Sequence, residues 1–368
     1  MQQLGYIKQI DGLRAIAVMM VVVFHWFAGG VISQSGMGSI GVDIFFTLSG
    51  FLITRILLVY RWNHDQGIDK KSKVNSVLRF MYRRSLRIFP AYFMLLFFLY
   101  HFDFFLYNTL KSDLKWYVTY LQNFLFYFRQ TWAAGKLSPF WTLAVEEQFY
   151  LFWPWLILFV PSKRLGLTIV ILLFIGLSSI LVLPLILEKK VMFDILTPTC
   201  LHAFGAGALV AYMHIVQPEK FAKKGNIFLL TGLILIFISF ISRIYNIYLF
   251  IDHRSLVSAG TSLLICYLLS GSLDFFSEFV LGNSILVWIG KVSYGIYLFH
   301  NFIPAYLKGL RISLAKYYPN TIILPYFPDI ANDRLYFFVL CFVVLFILSW
   351  GSFRFFEKPL LNFKNAFS

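Results

Sequence analysis

Asp11-Gly12-Leu13-Arg14 opens an apolar run that also carries His25, eleven positions beyond the arginine. On a helix turning 100° per residue, eleven residues make three turns plus about 20°, so Arg14 and His25 share a face roughly 16 Å apart along the axis. Asp11 falls on nearly the same face and can pair with Arg14 at i,i+3. A cation at one end of such a stripe can hold an anionic group. An imidazole at the other end can act as a general base or as a nucleophile. The plainer reading makes His25 a hydrogen-bonding residue against a neighbouring helix and Arg14 an anchor at the end of a span. An ionisable side chain inside a membrane span is costly unless it is paired or lines a wet cavity, which favours the functional reading.

Four further stretches carry chemistry. In Gly41-Val42-Asp43-Ile44-Phe45-Phe46-Thr47-Leu48-Ser49-Gly50-Phe51, a carboxylate enters an otherwise apolar run, and Gly41 and Gly50 allow close helix approach. Asp43 is either a helix-start residue favoured by the dipole or the partner that orients His25. In Arg83-Arg84-Ser85-Leu86-Arg87-Ile88-Phe89-Pro90, Arg84 and Arg87 share a face at i,i+3, and guanidinium forks suit phosphate. Simple anchoring by positive charge competes with that reading. In Trp141-Thr142-Leu143-Ala144-Val145-Glu146-Glu147-Gln148-Phe149-Tyr150, the two carboxylates point about 100° apart, so at most one faces a given cavity and at least one faces inward. Ser293-Tyr294-Gly295-Ile296-Tyr297-Leu298-Phe299-His300 adds a second histidine within a span; alone, such a residue is more often a packing group. His202 and His214 have no visible partner and read as structural. The sequence holds no metal-ligand spacing, no Gly-x-Ser-x-Gly elbow and no Walker loop.

The elements that must position these groups are membrane helices. Apolar residues make up 59% of 368 positions and charged ones 13%, where a soluble domain carries about a quarter charged. The apolar residues come in runs of roughly 18–22, enough to cross a core of about 30 Å. Ten candidate spans fall near 13–31, 40–60, 88–107, 139–160, 165–187, 194–216, 226–246, 255–272, 290–310 and 334–356. The fold class expected is therefore all-α, a polytopic membrane helical bundle of about ten transmembrane helices. Segment 112–128 is aromatic, amphipathic and too interrupted to span, as for an interfacial helix.

Loop charge sets the orientation. Arg61, Lys70, Lys71, Lys73, Arg79, Arg83, Arg84 and Arg87 crowd the connection between the second and third spans, whereas 29–39 carries no charge. The positive-inside rule makes the first of these loops cytoplasmic. Lys163, Arg164, Lys220, Lys223, Lys224, Lys358 and Lys364 agree, and Lys189, Lys190, Lys308, Arg311 and Lys316 blur the pattern without reversing it. Both termini are expected in the cytoplasm. The net charge of +15 lies mostly in these loops, which argues against a nucleic-acid partner. Cys200, Cys266 and Cys341 all sit in apolar segments with no paired pattern. The sequence suggests neither a cleavable signal peptide nor an internal repeat nor an appended soluble domain, so residues 1–368 are expected to form one membrane unit.

Taken in order, these motifs resemble the membrane acyltransferase family 3 proteins, over residues 8 to 360. Arg14 with ten residues before His25 looks like that family's Arg-x10-His signature, and Gly41 to Ile53 like its Gly-Val-Asp-x-Phe-Phe block. Arg84-x-x-Arg87 before Pro90 matches its basic motif. Trp141 to Tyr150 matches a further block with Thr142 in place of serine, and Tyr294 to His300 another with Phe299 in place of tryptophan. The resemblance implies a bacterial inner-membrane enzyme that moves an acetyl group from cytoplasmic acetyl-coenzyme A, as co-substrate and without a metal, to a hydroxyl of an outward-facing sugar. The acceptors of that family include lipopolysaccharide, exopolysaccharide and related glycans, lipid-linked or not. It further implies that His25 is the base or acyl carrier and that Arg14, Arg84 and Arg87, with neighbouring Arg83, serve the donor. Asp43 or one of Glu146 and Glu147 would orient the imidazole, with Glu146 preferred, and His300 joins the candidate catalytic set. A transporter or flippase for a glycolipid or polysaccharide precursor is the rival reading; buried charges suit it, but the missing repeat symmetry does not.

Overall fold

A computed structural model describes residues 5–27, 29–69, 72–102, 107–132, 135–187, 191–221, 224–271, 274–317 and 334–362. The loop cations Lys70, Lys71, Lys189, Lys190, Lys223 and Lys364 lie outside these residues. The described chain is helical: α1 (Lys8–Trp26), a short α2 (Gly30–Ser35), α3 (Met37–Asp65), α4 (Lys73–Phe102), α5 (Tyr107–Val118), α6 (Gln122–Arg129), α7 (Trp141–Phe159), α8 (Ser162–Ile186), α9 (Thr197–Val216), α10 (Gly225–Ile244), α11 (His253–Leu269), α12 (Ser284–Lys291), α13 (Ser293–Phe299), α14 (Ile303–Tyr317), α15 (Arg334–Ser352) and α16 (Lys358–Asn362). Among the described residues, seven segments are long and apolar enough to cross a membrane: those built on α1, α3, α4, α8, α9, α10 and α15. Large apolar side chains stand exposed along α8, α10 and α15, Leu185 and Phe237 among them, as a surface in contact with lipid requires.

Helix α3 is the centre of the bundle and packs against α1, α7, α9 and α11. Its two glycines permit this. A Cβ at Gly41 would lie 2.5 Å from the Ala17 carbonyl oxygen of α1, and one at Gly50 would lie 2.1 Å from the Phe204 carbonyl oxygen of α9. Both contacts are backbone against side-chain-free surface, the close approach that small residues allow between membrane helices. Phe46, Phe149 and Phe204 then stack across α3, α7 and α9, with Phe204 centroids 4.8 Å and 4.1 Å from the other two rings.

Two segments differ from expectation. The expected ninth span, 290–310, is three pieces, because the chain breaks at Val292 and again after Phe299. Pro304 lies in the first turn of α14, where its missing N–H costs nothing, so the second break sits where proline tolerates it. Segment 112–128 is likewise two helices, α5 and α6, turned at Tyr120 with φ of 53°. Arg129 forks onto Asp113 at 2.5 and 2.7 Å and ties the two together. Arg61 is another surprise among the loop charges: it is 6% exposed and donates to the Ile157 carbonyl at 2.5 Å and to Ser162 Oγ at 2.8 Å, pinning the turn from α7 to α8.

Candidate active site

One cavity of about 310 Å³ opens between α1, α3, α4, α7 and α13. Four arginines line it, Arg14, Arg55, Arg84 and Arg87, against two carboxylates, Asp11 and Glu146. A half-buried excess of cations favours an anionic occupant, since charge withdrawn from water is costly unless it is paired. These groups come from four helices, Asp11 and Arg14 from α1, Arg55 from α3, Arg84 and Arg87 from α4, and Glu146 from α7. Arg14 Nη1 stands 3.7 Å from Asp11, whose other oxygen accepts from Tyr6 at 2.5 Å. Burial and that carboxylate hold the Tyr6 phenol above its ordinary range, so it remains a donor. The Arg84 guanidinium lies 5.6 Å from the ring centroids of both Phe80 and Tyr150, a stacked seat that leaves its N–H fork free for an anion. Ser49 Oγ donates to Glu146 Oε1 at 2.9 Å. Tyr294 donates to the Ile88 carbonyl at 2.7 Å and so fixes α13 against α4, one residue beyond Arg87.

Tyr297 and Thr142 line the cavity with their oxygens 2.6 Å apart; the Tyr297 hydroxyl is also 2.8 Å from the Pro139 carbonyl. Behind Tyr297, with ring centroids 5.6 Å apart, stands His300, and 4.9 Å from His300 stands the ring of His25. His25 Nδ1 is 2.8 Å from the Val21 carbonyl and His300 Nδ1 is 2.7 Å from the Tyr297 carbonyl. A carbonyl oxygen only accepts, so each Nδ1 carries a proton and donates it there, and Nε2 is the nitrogen left for chemistry in each ring. His300 Nε2 is buried without a hydrogen-bond partner among the described residues. Trp26 donates its indole N–H to the His300 carbonyl at 2.8 Å and locks α1 to the end of α13. The pair is thus two imidazoles that each engage a backbone carbonyl through Nδ1.

Several expectations need correction. Asp43 neither starts a helix nor orients His25. Helix α3 begins at Met37, and the Asp43 carboxylate is gripped by Arg254 of α11, at 3.0 and 3.2 Å from Nε and 2.9 Å from Nη2. Glu146 faces the arginine cavity and bonds Ser49; among the described residues neither it nor Asp43 bonds the imidazole of His25. Glu147 does not line the cavity, and its Oε1 is buried without a partner among the described residues. Arg83 turns away from the other arginines and donates to the Tyr60 hydroxyl at 2.8 Å. Nor do His25 and His300 line the arginine cavity; Tyr297 stands between. His202 is buried, with Nδ1 2.7 Å from the Thr199 carbonyl.

Sequence reasoning passed over Arg254, Tyr297 and Glu357. Tyr297 lay inside a quoted motif without a role. Arg254 lay at the edge of a span, where a cation reads as an anchor. Glu357 is 2% exposed within the π-helical turn Phe353–Glu357, which packs against α4 and its arginines. An acidic residue that deep near a chain end signals an inward role.

The fold and this site define a polytopic helical membrane protein with an arginine-lined pocket and, beside its Tyr297, a pair of imidazoles of which His25 is half-buried and His300 buried. The chain matches the acyltransferase domain family over residues 7–354 and belongs to it. It is similar to the peptidoglycan O-acetyltransferase OatA of Listeria monocytogenes, 29% identical with 98% of this chain and 56% of the relative covered. It is similar also to the putative peptidoglycan O-acetyltransferase YrhL of Bacillus subtilis, 29% identical over 96% and 55%, and to the O-acetyltransferase OatA of Staphylococcus aureus, 26% identical over 96% and 57%. The chain therefore spans a little over half the length of these relatives. No solved structure matches it.

Proposed function

We propose that this chain transfers an acetyl group from acetyl-coenzyme A to a hydroxyl of a cell-surface glycan. The observation that carries this reading is the convergence of Arg14, Arg84 and Arg87 on one cavity lined also by Tyr297, beside the His25–His300 pair. Coenzyme A is anionic at its phosphate end and carries its thioester at the other. The arginines take the phosphates, and the pantetheine arm runs inward past Ser49 and Glu146 toward Tyr297. A shift of the Tyr297 side chain admits the thioester to the imidazoles.

In the transfer step, His25 Nε2 removes the proton from the acceptor hydroxyl as its oxygen attacks the thioester carbonyl carbon. The tetrahedral oxyanion collapses, the carbon–sulfur bond breaks, and the departing thiolate takes the proton back from the imidazolium. His300, 4.9 Å away in ring centroids, offers the neighbouring lone pair that shares this proton. The alternative order, in which His25 first carries the acetyl group as an acyl-imidazole, uses the same two residues.

The protein works in a bacterial inner membrane with the arginine end and both termini in the cytoplasm, where acetyl-coenzyme A is made; the loop charges support that orientation. The relatives' names favour the glycan strand of peptidoglycan as acceptor over lipopolysaccharide or exopolysaccharide. The test is purified, reconstituted protein given labelled acetyl-coenzyme A and a muropeptide or oligosaccharide acceptor. Free coenzyme A and labelled ester in equal amounts support the reading. A flippase would move a labelled glycolipid across the bilayer with no coenzyme A released.

A further inference from the structure

A second cationic cleft lies beside the arginine cavity, where Lys291 approaches Tyr6. Its floor is Val292, 1% exposed, at the break between α12 and α13. Trp288 and Trp350 form the walls, and Lys291, Arg354 and Lys358 line the cleft with their side chains exposed. The cleft encloses about 380 Å³. Both helices that frame it are irregular at this level. Helix α12 stops at Lys291, and α15 widens into the π-helical turn Phe353–Glu357. Such turns are rare and recur at functional sites.

Charge and surface together select the occupant. Among the described residues no carboxylate lines the cleft: the one nearest in sequence, Glu357, is 2% exposed, and Glu278 is paired with Lys8 at 2.7 Å. Three cations thus face one concavity without an acidic partner among the described residues. The helical segments that frame the cleft also expose apolar side chains, Ile347, Leu348 and Phe355 on the 334–357 segment and Ile285 on α12. A soluble anion would use only the cations. A lipid uses both, with its phosphate on the cations and its chains along the apolar flank; indole rings belong at that depth of a bilayer.

We propose that this cleft binds the phosphate headgroup of an anionic phospholipid from the leaflet at the terminus-bearing end. The site borders the arginine cavity, because Lys291 Nζ lies 5.7 Å from the ring of Tyr6, which lines that cavity. A seated lipid therefore braces the N-terminal segment that carries Tyr6 and Asp11. The proposal does not depend on the chemistry assigned to the cavity.

The test uses the full chain in detergent, with lipid binding read by native mass spectrometry and by thermal shift. Phosphatidylglycerol should bind and raise the unfolding temperature, and phosphatidylcholine should do so far less. Arg354→Gln and Lys358→Gln should each weaken phosphatidylglycerol about fivefold, since a basic residue at a membrane surface contributes on that order. Adding Lys291→Gln should weaken it further, whereas Lys163→Gln with Arg164→Gln should leave it unchanged. Equal binding of the two lipids, an equal loss in the 163/164 variant, or complete displacement by inorganic phosphate at comparable concentration would overturn the site. If the triple variant does not fold, the two single substitutions at exposed positions decide the matter alone.

Discussion

Arg254 of α11 grips Asp43 of α3 through Nε and Nη2, while its Nη1 reaches the Asp194 carbonyl at 2.6 Å. Both side chains are nearly inaccessible, at 9% and 1% exposure, so one arginine holds α3, α11 and the start of α9 in register. A buried pair of this kind fixes geometry more surely than it adds stability. Removing one partner leaves the other charged and unsolvated. Arg254→Met is therefore expected to destabilise the protein by about 3–5 kcal/mol, read as a marked drop in thermal unfolding temperature in micelles. Arg254→Met combined with Asp43→Leu should recover part of that loss. A single variant as stable as the parent would contradict the role.

The arginines of α4 should separate by function. Arg84→Ala and Arg87→Ala are each expected to raise the KM for acetyl-coenzyme A by about tenfold or more, because a hydrogen bond to a charged group is worth about 1.5–3 kcal/mol. Arg83→Ala, whose guanidinium serves Tyr60, should leave that KM within about twofold. Steady-state titration of the donor checks all three. Equal effects from Arg83 and Arg84 would mean that the basic stretch acts only through general charge.

Tyr297 stands between the cavity and the imidazoles, with its hydroxyl tied to Thr142 and Pro139. Tyr297→Phe keeps the ring and removes the tether. The freed ring moves aside more readily, so kcat is expected to hold or rise with donor KM little changed, the pattern of a residue that gates a step after donor binding. A pure KM effect would place Tyr297 in donor binding instead.

Gly50 meets the Phe204 carbonyl with no room for a side chain. Gly50→Ala should cost about 1–3 kcal/mol through overpacking and lower the yield of folded protein, as size-exclusion chromatography and thermal unfolding would show.

Much of the arrangement was legible in the sequence. The helical periodicity that placed Arg14 near one end of α1, and Arg84 with Arg87 on one face of α4, is local, and the three do converge. The 100° offset between Glu146 and Glu147 likewise sends only Glu146 into the cavity. What failed was partner choice over distance. Asp43 finds Arg254 at a separation of 211 residues, and His25 finds His300 from the far end of the chain. No spacing rule reaches that far, and each half of either pair looks like an anchor or packing residue by itself. The break within 290–310 was hidden for another reason: average hydropathy over a span is blind to one proline at a helix start.

The central claim is that the His25 imidazole performs the transfer. It is tested most directly by following labelled acetyl groups from acetyl-coenzyme A to glycan with the parent protein and with His25→Ala, alongside donor binding and circular dichroism. The account predicts that the variant folds, binds acetyl-coenzyme A normally and loses activity by about 100-fold or more, the range typical of a removed general base. Retention of more than roughly a tenth of parent turnover by the folded variant would contradict it.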